Sequence, residues 1–129
     1  NISSINLKEK KVLIVDDDIR NIYVLSQALS SKGAKILTAD NGRVAIEVLN
    51  DNDDIDIILM DIMMPVMDGY EATKIIKSNV KTQHIPVIAV TAKAMDHDKQ
   101  KTLDAGCDDF ISKPLKMDIL LGIVKSWLE

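Results

Sequence analysis

A single cysteine, Cys107, stands among 129 residues. One thiol can make neither an internal disulfide nor a cysteine zinc site, so the chain is built for a reducing compartment, and Cys107 itself reads as a small core or turn residue. Positive charge is in deficit: 16 Lys and Arg stand against 20 Asp and Glu, a formal net charge of -4. That balance offers no basic stripe to meet phosphates, which argues against direct nucleic-acid binding. The one basic run, Lys8, Lys10 and Lys11, is interrupted by Glu9 and reads as solvated surface. No apolar run reaches the roughly 18 residues that a bilayer span requires, so this domain is expected to make no membrane contact. No signal peptide of the usual design opens the chain. A cytoplasmic location is expected for the domain, whatever anchors a parent protein to a membrane. Repeats, linkers and low-complexity segments are also missing.

What is present is enough apolar residue, 47% of the chain, to build one core. Short runs rich in Val and Ile alternate with stretches of helical period, the pattern of repeated βα units. The strands read as "KVLIV" (11–15), "AKILTA" (34–39), "IDIILM" (55–60), "PVIAVT" (86–91) and "DFIS" (109–112). Helices are expected at about 18–31, 42–50, 69–78, 97–105 and 117–128, with Gly33 and Gly106 as C-terminal stops. Continuous apolar strands imply a parallel sheet covered on both faces by right-handed crossovers. The fold class is therefore α/β, a doubly wound sandwich of five parallel strands, and the flavodoxin-like order 2-1-3-4-5 is the expected one. Residues 1–9 are expected to be a flexible lead-in and 10–129 the domain. The first residue is Asn, not Met, which agrees with excision from a longer protein.

Doubly wound sheets place their site off the carboxyl ends of the strands, where strand order reverses. The first strand ends in Asp16, Asp17 and Asp18, the third in Asp61, the fourth in Thr91, and the fifth reaches Lys113 and Pro114. Adjacency of the first and third strands brings Asp16 and Asp17 beside Asp61. Such crowded carboxylates repel unless compensated, and a hard divalent cation with oxygen ligands, Mg²⁺ with Mn²⁺ as a substitute, is the natural remedy. Helix capping asks for one Asp, so capping does not account for the whole cluster. A carboxylate can act as a nucleophile towards phosphorus, and the transfer itself is mostly positioning and charge neutralisation. Asp61 is the candidate nucleophile, with Lys113 as a neutralising cation and Thr91 as a hydroxyl donor to a phosphoryl oxygen.

These motifs resemble those of the receiver domains of two-component phosphorelay signalling. The resemblance runs from "VLIVDDD" through "ILMDIMMPVMDGYEA" and "IPVIAVTAKA" to "AGCDDFISKPL", in family order and spacing. "AKAMDHDKQKTLDAGCDDFISKPL" is most similar to receivers attached to hybrid histidine kinases. The resemblance implies that Asp16, Asp17, Asp61 and the backbone carbonyl of Met63 hold Mg²⁺. It also implies that Asp61 is the phosphoacceptor, that Thr91 and Lys113 contact the phosphoryl group, and that the Lys113–Pro114 bond is cis. Phe110 stands at the switch aromatic and lacks the phenol hydroxyl that many members carry; the loop after Thr91 and Phe110 would form the switch. The domain would take its phosphoryl group from a histidine kinase or histidine phosphotransfer domain without being a turnover enzyme. His84 and His97 belong to no strand end at the site and read as surface residues.

On the first helix, periodicity places Asn21, Val24, Leu25, Ala28 and Leu29 towards the sheet and Ile19, Ile22, Tyr23 and Ser26 outward. An outer face this apolar beside an acidic site suggests that Ile19, Ile22 and Tyr23 dock the partner helices. Two rival readings use the same residues. A haloacid-dehalogenase-like phosphohydrolase would take Asp16 as nucleophile and Asp18 as acid, with Thr91 and Lys113 as later motifs, but leaves Asp61 without a role. A flavin-binding module would want hydroxyls and amides where this chain has acids.

Overall fold

The computed structural model describes residues 5–92 and 96–128, without the side chains of Asp96 and His97. Five strands, β1 (Lys11–Val15), β2 (Lys35–Ala39), β3 (Ile57–Asp61), β4 (Val87–Thr91) and β5 (Asp109–Ser112), alternate with five helices. These are α1 (Ile19–Ser30), α2 (Gly42–Asp51), α3 (Gly69–Ser78), α4 (Asp96–Ala105) and α5 (Met117–Leu128). The strands form one parallel sheet in the order β2-β1-β3-β4-β5, with Val15 beside Met60, Asp61 beside Val90 and Thr91 beside Ser112. Residues of β3 and β4 are buried throughout, as continuous apolar strands require, whereas the edge strands β2 and β5 keep part of their length in solvent.

The two faces of the sheet carry separate cores. Alternate residues Val12, Ile14, Ile57, Leu59, Ile88 and Val90 pack with Leu25 and Leu29 of α1 and Leu120, Leu121 and Val124 of α5. The opposite set, Leu13, Val15, Ile58, Met60, Val87 and Ala89, packs with Ala45 and Leu49 of α2 and Ala72 and Ile76 of α3. Side-chain caps open three of the helices: Asp18 accepts from the Arg20 N–H, Asn41 from Val44 and Asp68 from Glu71.

Residues 1–4 of the expected lead-in 1–9 lie outside the described residues; within the rest, Ile5 and Leu7 are buried in the α1–α5 core, and the Leu7 N–H donates to the Lys32 carbonyl at 2.7 Å. One expectation needs correction. On α1, Ile22 packs against the core while Val24 is 48% exposed, the reverse of the expected placement. Ile22, Leu25 and Leu29 follow i, i+3, i+7 spacing and make a single ridge, which rotates Val24 off it.

Polar ties hold the edge of the sheet remote from the strand C-termini. Lys77 Nζ donates to the Ile85 carbonyl at 2.7 Å, the Gln83 carbonyl at 3.2 Å and Asp108 Oδ2 at 2.7 Å. Asp108 in turn accepts from the Val87 N–H at 2.8 Å, so one ion pair joins α3, β4 and the approach to β5. Asp109 bridges similarly, accepting the Phe110 N–H at 2.8 Å and the Trp127 indole N–H at 3.0 Å. No helix among the described residues is long and apolar enough to cross a membrane.

Candidate functional site

Asp61 closes β3, Asp16 follows β1 directly, Thr91 closes β4 and Lys113 follows β5, so the parallel register delivers all of them to one edge. Asp16, Asp17 and Asp61 each offer a carboxylate oxygen within 4.8 Å of the others; Asp16 and Asp61 are buried and Asp17 is exposed. Lys113 Nζ lies 3.5 Å from Asp61 Oδ1 and 3.9 Å from Asp16 Oδ2. Its backbone N–H donates to the Thr91 carbonyl at 2.8 Å, which ties the end of β4 to the residue carrying the cation. The Lys113–Pro114 peptide bond is cis.

Burial pushes the Asp61 carboxyl up to about 6, and the neighbouring Asp16 charge adds to the rise. The Lys113 ammonium and the Met63 N–H, which reaches Asp61 Oδ1 at 3.4 Å, act in the opposite sense without cancelling it. One lysine does not neutralise three carboxylates. The donor set is all oxygen, partly buried and open on the Asp17 side, which suits a hard cation that keeps several waters.

Asp18 does not join the cluster. It caps α1 and pairs with Arg20, whose Nη2 lies 3.0 Å from Asp18 Oδ2, while its own N–H donates to Asp16 Oδ1 at 2.8 Å. Arg20 holds the Asp18 carboxyl below the usual carboxylate range. Of the consecutive acids, one therefore serves the helix and two face Asp61.

Phe110 is half-buried on β5 against the α2–α3 side of the core. Residues 93–95 of the loop after Thr91, and the side chain of His97, lie outside the described residues; His84 is exposed. Ile19 and Tyr23 are 78% and 65% exposed on α1. Beside them a groove of about 240 Å³ is lined by Asn21, Val24, Lys113, Pro114, Leu115 and Met117, so the apolar surface next to the acids includes Val24 where Ile22 was expected.

Val66 and Gly42 contribute to the site without a signal in the sequence. Val66, a β-branched residue, adopts φ 68°, and the Met67 N–H donates across it to the Pro65 carbonyl at 2.7 Å, a tight three-residue turn. Gly42 donates its N–H to the Met67 carbonyl at 3.1 Å, and a Cβ there would stand 2.9 Å from that oxygen. Gly69 behaves alike: a Cβ would meet the Asp61 carbonyl oxygen at 2.5 Å, so the start of α3 can fold back onto the end of β3 only with glycine. The loop after Asp61 is thereby fixed at both ends.

Residues 12–125 match the family of response regulator receiver domains. The chain belongs to that family. Among its relatives, the receiver domain is 33% identical over 127 residues to the sensor histidine kinase GacS of Pseudomonas protegens, covering 96% of this chain and 14% of that protein. It is 36% identical over 119 residues to the polar-differentiation response regulator DivK of Brucella anthropi, covering 92% of this chain and 96% of that one. The chain thus spans a small part of that kinase and nearly all of that regulator. Among solved structures, the receiver domain of the sensor histidine kinase PA1611 from Pseudomonas aeruginosa PAO1 superposes with a TM-score of 0.85 at 34% identity, covering 92% of this chain and 97% of that one. That protein holds a magnesium ion in its active site cleft. Nothing in these likenesses supports a phosphohydrolase, and Asp18, the acid of that reading, caps α1 and pairs with Arg20.

Proposed function

We propose that this receiver domain accepts a phosphoryl group on Asp61 from the phosphohistidine of a histidine kinase or histidine phosphotransfer domain. The observation that carries the reading is the Asp61 carboxylate, buried among Asp16 and Asp17 and 3.5 Å from Lys113 Nζ. In the transfer an Asp61 oxygen forms the new O–P bond as the P–N bond to the imidazole breaks, and the departing ring nitrogen retains the electron pair and is protonated. Lys113 and the Thr91 hydroxyl meet the charge on the phosphoryl oxygens. Asp16, Asp17, Asp61 and the Met63 backbone carbonyl would hold Mg²⁺, with Mn²⁺ as a substitute. The bound cation supplies positive charge against the acids and the phosphoryl group. Ile19, Tyr23, Val24 and the groove beside them would dock the helices that present the histidine. Phe110 and the loop after Thr91 would change the α4–β5–α5 surface once the acyl phosphate forms. We place the domain in the cytoplasm, and its likeness to a segment of GacS supports attachment to a hybrid kinase.

Acetyl phosphate with Mg²⁺ should add one phosphoryl group, mapped to Asp61. Asp61→Asn should stay unmodified, and Asp17→Asn or a chelator should slow the reaction. Modification of Asp16 with Asp61 untouched, followed by many turnovers of a phosphomonoester, would instead indicate a hydrolase. Polar replacements of Ile19 and Tyr23 should slow transfer from a protein donor and leave the acetyl phosphate rate unchanged; an equal fall in both would exclude docking as the cause.

A further inference from the structure

We infer that Lys99 is a positioning residue for the Phe110 ring, holding it through its π face in place of a phenolic hydrogen bond. This rests on Phe110 being the switch aromatic of the proposed function. Lys99 Nζ stands 5.3 Å from the centroid of the Phe110 ring. Without a hydroxyl, that ring can make no hydrogen bond at its tip in either switch position. Its quadrupole is the one polar handle left, and a cation over the face is what engages it.

The helix that carries Lys99 makes this contact consequential. Helix α4 is polar along most of its length; its largest apolar side chain, Leu103, is 59% exposed, and what it buries among the described residues is Asp98, Thr102 and Ala105. A helix with so little apolar surface against the core gains little from burial, so side-chain ties weigh heavily in where it sits. A second contact of the same kind lies two residues on, where Lys101 Nζ stands 4.7 Å from the centroid of the Tyr70 ring on α3. Lys101 thus ties α4 to a helix outside the switch, and Lys99 ties it to the switch ring. Ring and helix then move together: turning the ring away breaks the Lys99 contact, and displacing α4 removes the cation from the ring.

An exposed cation–π contact biases such an equilibrium by about two- to fivefold. Phe110 is the only phenylalanine in the chain, so incorporation of 4-fluorophenylalanine gives a single ¹⁹F resonance. In the unmodified protein, Lys99→Met keeps the aliphatic stem and removes the charge. It should move the resonance, or change the ratio of ring populations two- to fivefold, and raise the rate of modification by acetyl phosphate by a similar factor. Lys99→Arg should restore the parental resonance and rate, because guanidinium serves equally over the ring. A Lys99→Met resonance and rate identical to the parent would overturn the inference, as would an Arg variant displaced as far as the Met variant. Should the phosphoacceptor reading fail, the parent itself would show no modification of Asp61, a result separate from the ring resonance.

Discussion

Replacing Asp61 with Asn should make the metal-free domain more stable while abolishing its modification. The Asp61 carboxyl rises from 3.8 in an unfolded chain to about 6 in the fold, chiefly through burial and then through Asp16. Because the folded value is the higher one, the neutral form is favoured by folding. The associated stability is complete below 3.8 and is lost as pH rises through 6. A shift of roughly two pH units at about 1.4 kcal/mol each leaves the ionised carboxylate costing about 3 kcal/mol at neutral pH and about 1 kcal/mol at pH ~4.5. Asparagine has the shape of the protonated acid without the charge, so Asp61→Asn should recover those amounts. Urea titrations in a chelator at pH ~7.5 and ~4.5 would measure both gaps, with the larger at the higher pH. Adding Mg²⁺ should narrow the gap at the higher pH, since a cation bound to the folded parent at a hundredfold excess over its Kd contributes about 2.7 kcal/mol. A variant no more stable than the parent without metal, or a gap that ignores pH, would refute the picture of a charge-crowded site awaiting a cation.

Three further outcomes follow from the rest of the fold. Lys77→Met should cost about 2–3 kcal/mol in urea denaturation, because it strips the Ile85 and Gln83 carbonyls and Asp108 of a shared, mostly buried ammonium. Val66→Gly should raise stability by about 1 kcal/mol by releasing a β-branched residue from φ 68°, less the entropy that glycine adds to the unfolded chain; a loss would show that the turn is unstrained. Cys107 should resist alkylation in the native state and react fully in denaturant, since the side chain is buried and burial raises its thiol; rapid labelling of the folded protein would contradict that placement.

The strands and their end residues were legible because both follow from local signals, and the order β2-β1-β3-β4-β5 is one of the few that a doubly wound parallel sheet adopts. Apolar runs named β1, β3 and β4, and the acids, Thr91 and Lys113 stood immediately after them. Strand β3 runs from Ile57 to Asp61 instead of 55–60: Asp61 is in the ladder beside Val90, and Asp56, just before the strand, is tied to Lys11 by its N–H to the Lys11 carbonyl at 2.9 Å and by its carboxylate, which accepts the Lys11 N–H at 2.8 Å. The buried positions of Ile5 and Leu7 were not recognised because an alternation of two apolar residues is too short a signal against the general looseness of termini. Lys99 and Lys101 carried no signal of their own, since nothing in local sequence shows which aromatic ring a lysine on α4 will lie over. The strained turn at Val66 was equally hidden: Pro65 and Gly69 mark a bend, and neither says which residue takes the left-handed conformation.

The double bridge at Asp109 gives the domain an optical readout of β5, the strand that carries the proposed switch aromatic. One carboxylate receives both the Phe110 N–H and the Trp127 indole N–H, and the chain has no other tryptophan. Indole emission depends on the polarity and hydrogen bonding around the ring. A displacement of β5 that pulls Asp109 from Trp127 should therefore register as a change in intrinsic fluorescence, in an untagged and unlabelled protein and on the timescale of mixing.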